Sequence, residues 1–130
     1  MASNKDIIRR LFRDVLNRNN SAAITEIISE DYHEQDSLPG QVQGIIGIEQ
    51  RLILIINSFP DAVYQIEDMI SEGEKISVRW KMNAVFKNKF LFIEPTGKPV
   101  EMKGIDIYYI KDGKIYTHWN EVDMSCLGKK

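Results

Sequence analysis

The chain has 130 residues, 43% of them hydrophobic, and 17 Lys and Arg against 19 Asp and Glu give a net charge of −2. That is the length of one domain, residues 1–130, with enough apolar side chains for a core, and its mixed charge excludes the basic footprint of a nucleic-acid or anionic-membrane binder. A lone Cys126 excludes an intramolecular disulfide and a multi-cysteine zinc site.

The N-terminal apolar residues are interrupted by Arg9, Arg10, Arg13 and Asp14, which is not a signal-peptide pattern. No segment has the apolar length of a bilayer span, and the closing Gly128-Lys129-Lys130 is too short for a basic tail. A soluble cytoplasmic protein is the expectation.

Residues 3–19 read as an amphipathic helix capped by Ser3, with Asp6 three residues on and an apolar stripe of Ile7, Ile8, Leu11, Phe12, Val15 and Leu16. Ser21 opens a short second helix through Ile24, Ile27 and Ile28. Residues 31–40, rich in charge and ending in Pro39-Gly40, read as an exposed connection. A third helix is expected over 45–58, stopped by Pro60.

From residue 61 the period changes to two. Strands are expected over 62–70, 75–86, 99–110 and 114–122; in the second, Ile76, Val78, Trp80, Met82 and Ala84 alternate with polar residues. Between the second and third, residues 87–98 carry Phe90-Leu91-Phe92-Ile93, apolar enough for a flap over a pocket. Three helices and then a four-stranded antiparallel meander make an α+β layout, with the helices on the concave side of a curved sheet and a pocket between.

One carboxylate stands out, Asp106 in the apolar strand Ile105-Asp106-Ile107-Tyr108-Tyr109-Ile110. A charge is rarely placed there unless it is paired or used. Its partner depends on the following turn. A two-residue turn at Asp112-Gly113 sets Asp106 opposite Trp119. A three-residue loop sets Asp106 opposite His118, Tyr108 opposite Tyr116 and Gly104 opposite Asn120. The longer loop is favoured because it gathers Asp106, His118 and Asn120 on one face and leaves Ile105, Ile107, Ile115, Thr117 and Trp119 on the other.

These segments together resemble the SnoaL-like polyketide cyclase family of the nuclear transport factor 2-like superfamily. The resemblance is carried by Phe59-Pro60-Asp61, by Glu67-Asp68-Met69-Ile70 with Glu72-Gly73-Glu74-Lys75, and by Ser77-Val78-Arg79-Trp80. Pro95-Thr96-Gly97-Lys98-Pro99-Val100, Gly104-Ile105-Asp106-Ile107-Tyr108, Asp112-Gly113-Lys114-Ile115 and His118-Trp119-Asn120-Glu121-Val122-Asp123 complete it.

It implies a cone-shaped α+β fold with a deep pocket, dimeric through the sheet, and ring closure by aldol condensation without cofactor or metal. The family's acid/base aspartate falls at Asn120 and its assisting histidine at Asp106. This chain departs from the pattern at both positions, and an asparagine cannot transfer protons as an aspartate does.

The chemistry expected is therefore relocated. Asp106 and His118 form an acid/base pair, Asn120 donates a hydrogen bond to a developing enolate oxygen, and the substrate is a small hydrophobic or polycyclic carbonyl compound. Tyr32, Trp80, Met82, Phe90, Phe92, Tyr108 and Tyr116 are the expected contacts to it. A buried pair that only fixes strand register is the plainer reading of Asp106 and His118, and core packing that of Trp80 and Met82.

Two other functions are weighed. One is epoxide hydrolysis, for which no second pocket carboxylate or arginine can be placed; the other is a non-catalytic ligand-binding or dimerisation module. His33 beside Glu34 and Asp36 is too weak for a metal site, and no cofactor is expected. An apolar outer face on the last hairpin points to a homodimer through the sheet.

Overall fold

A computed structural model describes residues 3–128; Lys129 and Lys130, read above as part of a tail too short to count as basic, lie outside them. Ser3 caps α1 (Asn4–Arg10) through a reciprocal box, its hydroxyl accepting from the Asp6 amide at 3.2 Å and the Asp6 carboxylate from the Ser3 amide at 3.3 Å. Ile7, Ile8, Leu11, Phe12 and Val15 are buried as their spacing requires.

The helix does not stay α to residue 19. It widens into a π-helical segment over Leu11–Asn17, and periodicity does not separate the two forms because the same stripe faces inward in both. A 3-10 turn (Ser21–Ala23) and the single turn α2 (Ile24–Ile27) follow.

The main departure comes next. The segment read as an exposed connection opens as strand β1 (Ile28–Glu34), parallel to the last strand. Its charges misled because Asp31 and His33 face outward while Tyr32 and Glu34 are buried. Glu34 tolerates burial because its charge is paired, as described below. α3 (Gly44–Ser58) then leads into β2 (Val63–Glu72), β3 (Lys75–Val85), β4 (Pro99–Lys111) and β5 (Lys114–Asp123).

The described strands form one curved, unclosed mixed sheet of order β1-β5-β4-β3-β2, so the expected four-stranded meander gains a parallel edge strand. The helices lie over one face.

The β4–β5 turn is the two-residue one: Lys111 pairs with Lys114, and Asp112 (φ 52°) and Gly113 (φ 75°) both take the left-handed conformation that this tight turn needs. Alone it would place Asp106 opposite Trp119. A β-bulge corrects this, since Ile110 pairs with Ile115 but Tyr109 with Thr117, leaving Tyr116 as an extra residue.

Asp106 therefore opposes Asn120 and Tyr108 opposes His118, rather than the pairs expected from a three-residue loop; Gly104 opposes Val122. The bulge also turns Ile115 inward to full burial, against the expectation that it lies on the outer face, and sends Tyr116 outward. A slip of one residue exchanges the faces of a strand, and here the bulge restores the polar set to the concave side.

Candidate active site

Helices and sheet enclose a cavity of about 130 Å³. Leu11, Phe12, Val15 and Leu16 of the π-helical segment and Ile48, Leu52 and Ile55 of α3 supply one side; Trp80, Met82, Met102 and Ile115 of the sheet continue the apolar wall. Phe12 meets Tyr64 edge to face at 6.2 Å, and Tyr64 leans on Trp80 at 5.5 Å. Phe90 closes one part of the wall and packs on Phe59 at 5.4 Å.

The polar groups gather at the sheet side. Asp106 is 4% exposed. Its Oδ2 accepts from the Tyr108 hydroxyl at 2.9 Å and its Oδ1 from Asn120 Nδ2 at 2.6 Å. His118 Nε2 lies 3.0 Å from Oδ2 but off the line of a well-formed hydrogen bond, and the buried indole N–H of Trp80, turned toward Asp106, makes none either.

On its other edge, His118 Nδ1 sits 3.0 and 3.2 Å from the two oxygens of Glu34. Arg51 of α3 completes the chain, with one guanidinium nitrogen donating to Glu34 Oε1 at 2.9 Å and the other to Asn120 Oδ1 at 2.9 Å. The Tyr108 ring stacks on the imidazole at 4.6 Å.

Charges therefore alternate from Asp106 through His118 and Glu34 to Arg51. Burial alone would lower the pKa of His118, but the close Asp106 carboxylate and the hydrogen-bonded Glu34 prevail and raise it to about 9. Burial pushes Asp106 up; the contacts of His118, Trp80 and Asn120 outweigh it and leave the carboxyl below its ordinary value. Glu34 follows the same balance, with His118, Arg51 and Tyr32 holding it down. Near pH 7 the pair is thus carboxylate and imidazolium.

Of the residues read from the sequence, Asp106, His118, Asn120, Tyr32, Trp80, Met82, Phe90 and Tyr108 line the cavity. Two do not. Phe92 is 83% exposed, because Phe90 and Ile93 pair backbone to backbone and leave Leu91-Phe92 at the tip of a reverse turn. Tyr116 is the bulge residue on the outer face, edge to face with Tyr109 at 6.1 Å.

Sequence reasoning missed Glu34 and Arg51. The inward alternation of Ile28, Tyr32 and Glu34 would have exposed the first; a charge on the inner stripe of α3, between Ile48 and Leu52, the second. Among the described residues no group of three or more His, Cys, Asp or Glu is placed to hold a metal ion.

The family model of SnoaL-like polyketide cyclases matches residues 6–129. The chain belongs to that family. Among solved structures, TsrD from Streptomyces laurentii is 21% identical, covers 95% of this chain and 90% of its own, and superposes with a TM-score of 0.85. IdmH from Streptomyces antibioticus is also 21% identical, with 97% and 96% covered and a TM-score of 0.84. A SnoaL-like polyketide cyclase from Agrobacterium tumefaciens strain C58 is 19% identical, with 97% and 95% covered and a TM-score of 0.82.

At these identities the likeness establishes the fold. No match was found among curated proteins. Among the described residues no helix is long and apolar enough to cross a membrane.

Proposed function

We propose that this SnoaL-like chain is a cofactor-free acid/base enzyme of the cytoplasm, of cyclase, isomerase or dehydratase type, acting on a small hydrophobic carbonyl compound. The observation that carries this reading is a buried Asp106–His118 pair, 3.0 Å apart at one end of an otherwise apolar cavity, with the ring Nε2 and the Trp80 indole N–H both lacking well-formed partners. Perturbed titratable groups of this kind concentrate at functional sites.

The assignment of roles follows from charge. Asp106, ionised, takes the proton from carbon next to the substrate carbonyl. His118, protonated, is the acid, and its Nε2–H together with the Trp80 N–H faces the developing oxyanion. Asn120 already gives one amide hydrogen to Asp106 and has a second for a ligand. Proton return from Asp106 to another carbon isomerises the substrate; attack of the enolate carbon on a second carbonyl closes a ring.

The test is exchange of α-hydrogens in D₂O, followed by NMR on a panel of small cyclic ketones. The wild-type chain is expected to catalyse exchange above buffer, and Asp106→Asn to lose at least about 100-fold, the low end of general acid–base contributions. Ligand binding with no exchange on any ketone would leave a non-catalytic module.

One observation favours a second reading. Glu34 and Arg51 line the same cavity as Asp106 and Asn120, and so provide the second carboxylate and the arginine that epoxide opening by a positioned water would use. Turnover of small epoxides with no ketone exchange would select it.

For assembly, the outer hairpin face exposes Ile105 at 51%, with Ile107 and Tyr116 beside it, and we propose a homodimer through this face. Sedimentation at micromolar concentration checks it, and a monomer mass refutes it.

A further inference from the structure

We propose that Glu34 is the positioning residue of the site: its carboxylate grips His118 Nδ1–H and, with Arg51 bound on its far side, holds the ring so that a protonated Nε2 faces Asp106 and the cavity. The proposal rests on the acid/base reading of Asp106 and His118.

Donors and acceptors around the ring set its protonation. Both Glu34 oxygens lie within 3.2 Å of Nδ1, and an ionised carboxylate only accepts, so Nδ1 carries a proton. At the opposite edge Nε2 stands 3.0 Å from Asp106 Oδ2, which already accepts from Tyr108. A ring lone pair held 3.0 Å from that oxygen would be repelled even off the hydrogen-bond line, so Nε2 carries a proton too. The arrangement selects the imidazolium and fixes its orientation.

Glu34 is itself well placed for this. Its backbone is locked to Gln43, the N-cap position before α3, the Glu34 amide donating to Gln43 Oε1 at 2.9 Å and Gln43 Nε2 to the Glu34 carbonyl at 3.2 Å. Its side chain is 2% exposed and paired to Arg51 at 2.9 Å. The groups facing His118 are Asp106 and Tyr108 from β4 and Glu34 from β1, and, through Glu34, Tyr32 from β1 and Arg51 from α3. Glu34 and Arg51 therefore act on His118 with opposite sign, because Arg51 withdraws part of the Glu34 charge that the imidazolium sees.

This makes a test that general loosening of the site cannot imitate. The imidazole nitrogens of the full chain are titrated by NMR, with exposed His33 assigned by a His33→Gln variant. Glu34→Gln is expected to move the His118 titration down by about one pH unit or more, and Arg51→Gln to move it up. In ketone exchange, the alkaline limb of the pH profile is expected to move with it.

A folded Glu34→Gln chain with unmoved His118 titration overturns the proposal, and so do both variants moving it in the same direction. If Glu34→Gln does not fold, the direction given by Arg51→Gln decides. Absence of exchange in the wild-type chain would remove the acid/base reading alone, since the titration still reports whether Glu34 sets the charge of His118.

Discussion

The two halves of the cavity are built by different physics. The helical half is apolar, contributed by the π-helical segment and α3, and is held by burial that needs no particular geometry. The sheet half holds three charges and an amide placed by strand register, with Arg51 reaching in from α3 as the fourth charge, each within hydrogen-bonding distance of the next. Apolar burial stabilises in proportion to area. A buried ion pair recovers its desolvation cost only where geometry is good. The helical half can therefore be read as the part that holds the fold, and the charged half as one the fold supports.

The comparison breaks most visibly when a single member of the chain is removed. Asp106→Ala leaves the His118 imidazolium without its carboxylate on one edge, a loss of about 3–5 kcal/mol for a buried pair, measurable by urea unfolding with tryptophan fluorescence. Replacing Asp106, His118 and Glu34 by Leu and Arg51 by Met in one chain is expected to cost less than Asp106→Ala alone, while ketone exchange stays at the buffer rate. A quadruple variant less stable than the single one would mean that the charged half holds the fold after all.

Next in size is pH. His118 has its folded pKa raised from 6.5 to about 9, so its contribution is complete below pH 6.5 and is lost as pH rises through 9. The upper bound is about 3.5 kcal/mol at roughly 1.4 kcal/mol per unit. Asp106 and Glu34 are shifted down, so theirs is present above their unfolded values and lost as pH falls through the folded ones. The same contacts shift all three groups, and the contributions are not summed. Urea midpoints should peak between about pH 5 and 6.5 and fall on either side; a midpoint flat from pH 6.5 to 9.5 would contradict an imidazolium in the folded state.

Gly104 joins the two halves. It pairs with Trp80 across β3 and β4, and a Cβ there would stand 2.4 Å from the indole Cζ2. Only glycine lets the indole lie along the sheet with its N–H turned toward Asp106. Gly104→Ala is expected to cost about 1–3 kcal/mol as overpacking and to shift Trp80 fluorescence, with stability and emission read on one sample.

The same division explains what was legible in the sequence. Burial patterns are local, so the stripe of Ile7, Ile8, Leu11, Phe12 and Val15, the alternation around Trp80 and Met82, and the order of β2 to β5 could be read directly. Asp106, His118 and Asn120 were recognised as one polar face for the same reason, since parity along a strand survives an error in register. Their pairing was not legible. It depends on a tight turn followed by a bulge at Tyr116, which together leave the parity of Asp106, His118 and Asn120 unchanged while moving the partner of Asp106 from His118 to Asn120. Glu34 is brought to His118 by the parallel pairing of β1 with β5, and Arg51 reaches Glu34 and Asn120 from α3; no local pattern announces either contact.

The smallest expected effect sharpens the boundary of the site. Phe92 has the composition of a cavity residue, but the backbone pairing of Phe90 with Ile93 forces one aromatic in and the other out. Leu91, with φ 54°, takes the strain of that turn. Phe92→Ser removes apolar surface that is already in water and is expected to change stability by no more than about 0.5 kcal/mol, with ketone exchange unaltered. Phe90→Ala, two residues away, deletes a side chain 3% exposed and packed on Phe59, and is expected to cost about 3–5 kcal/mol. Equal effects of the two substitutions in urea unfolding would mean that the segment 87–98 folds over the cavity mouth in solution, with Phe92 turned inward.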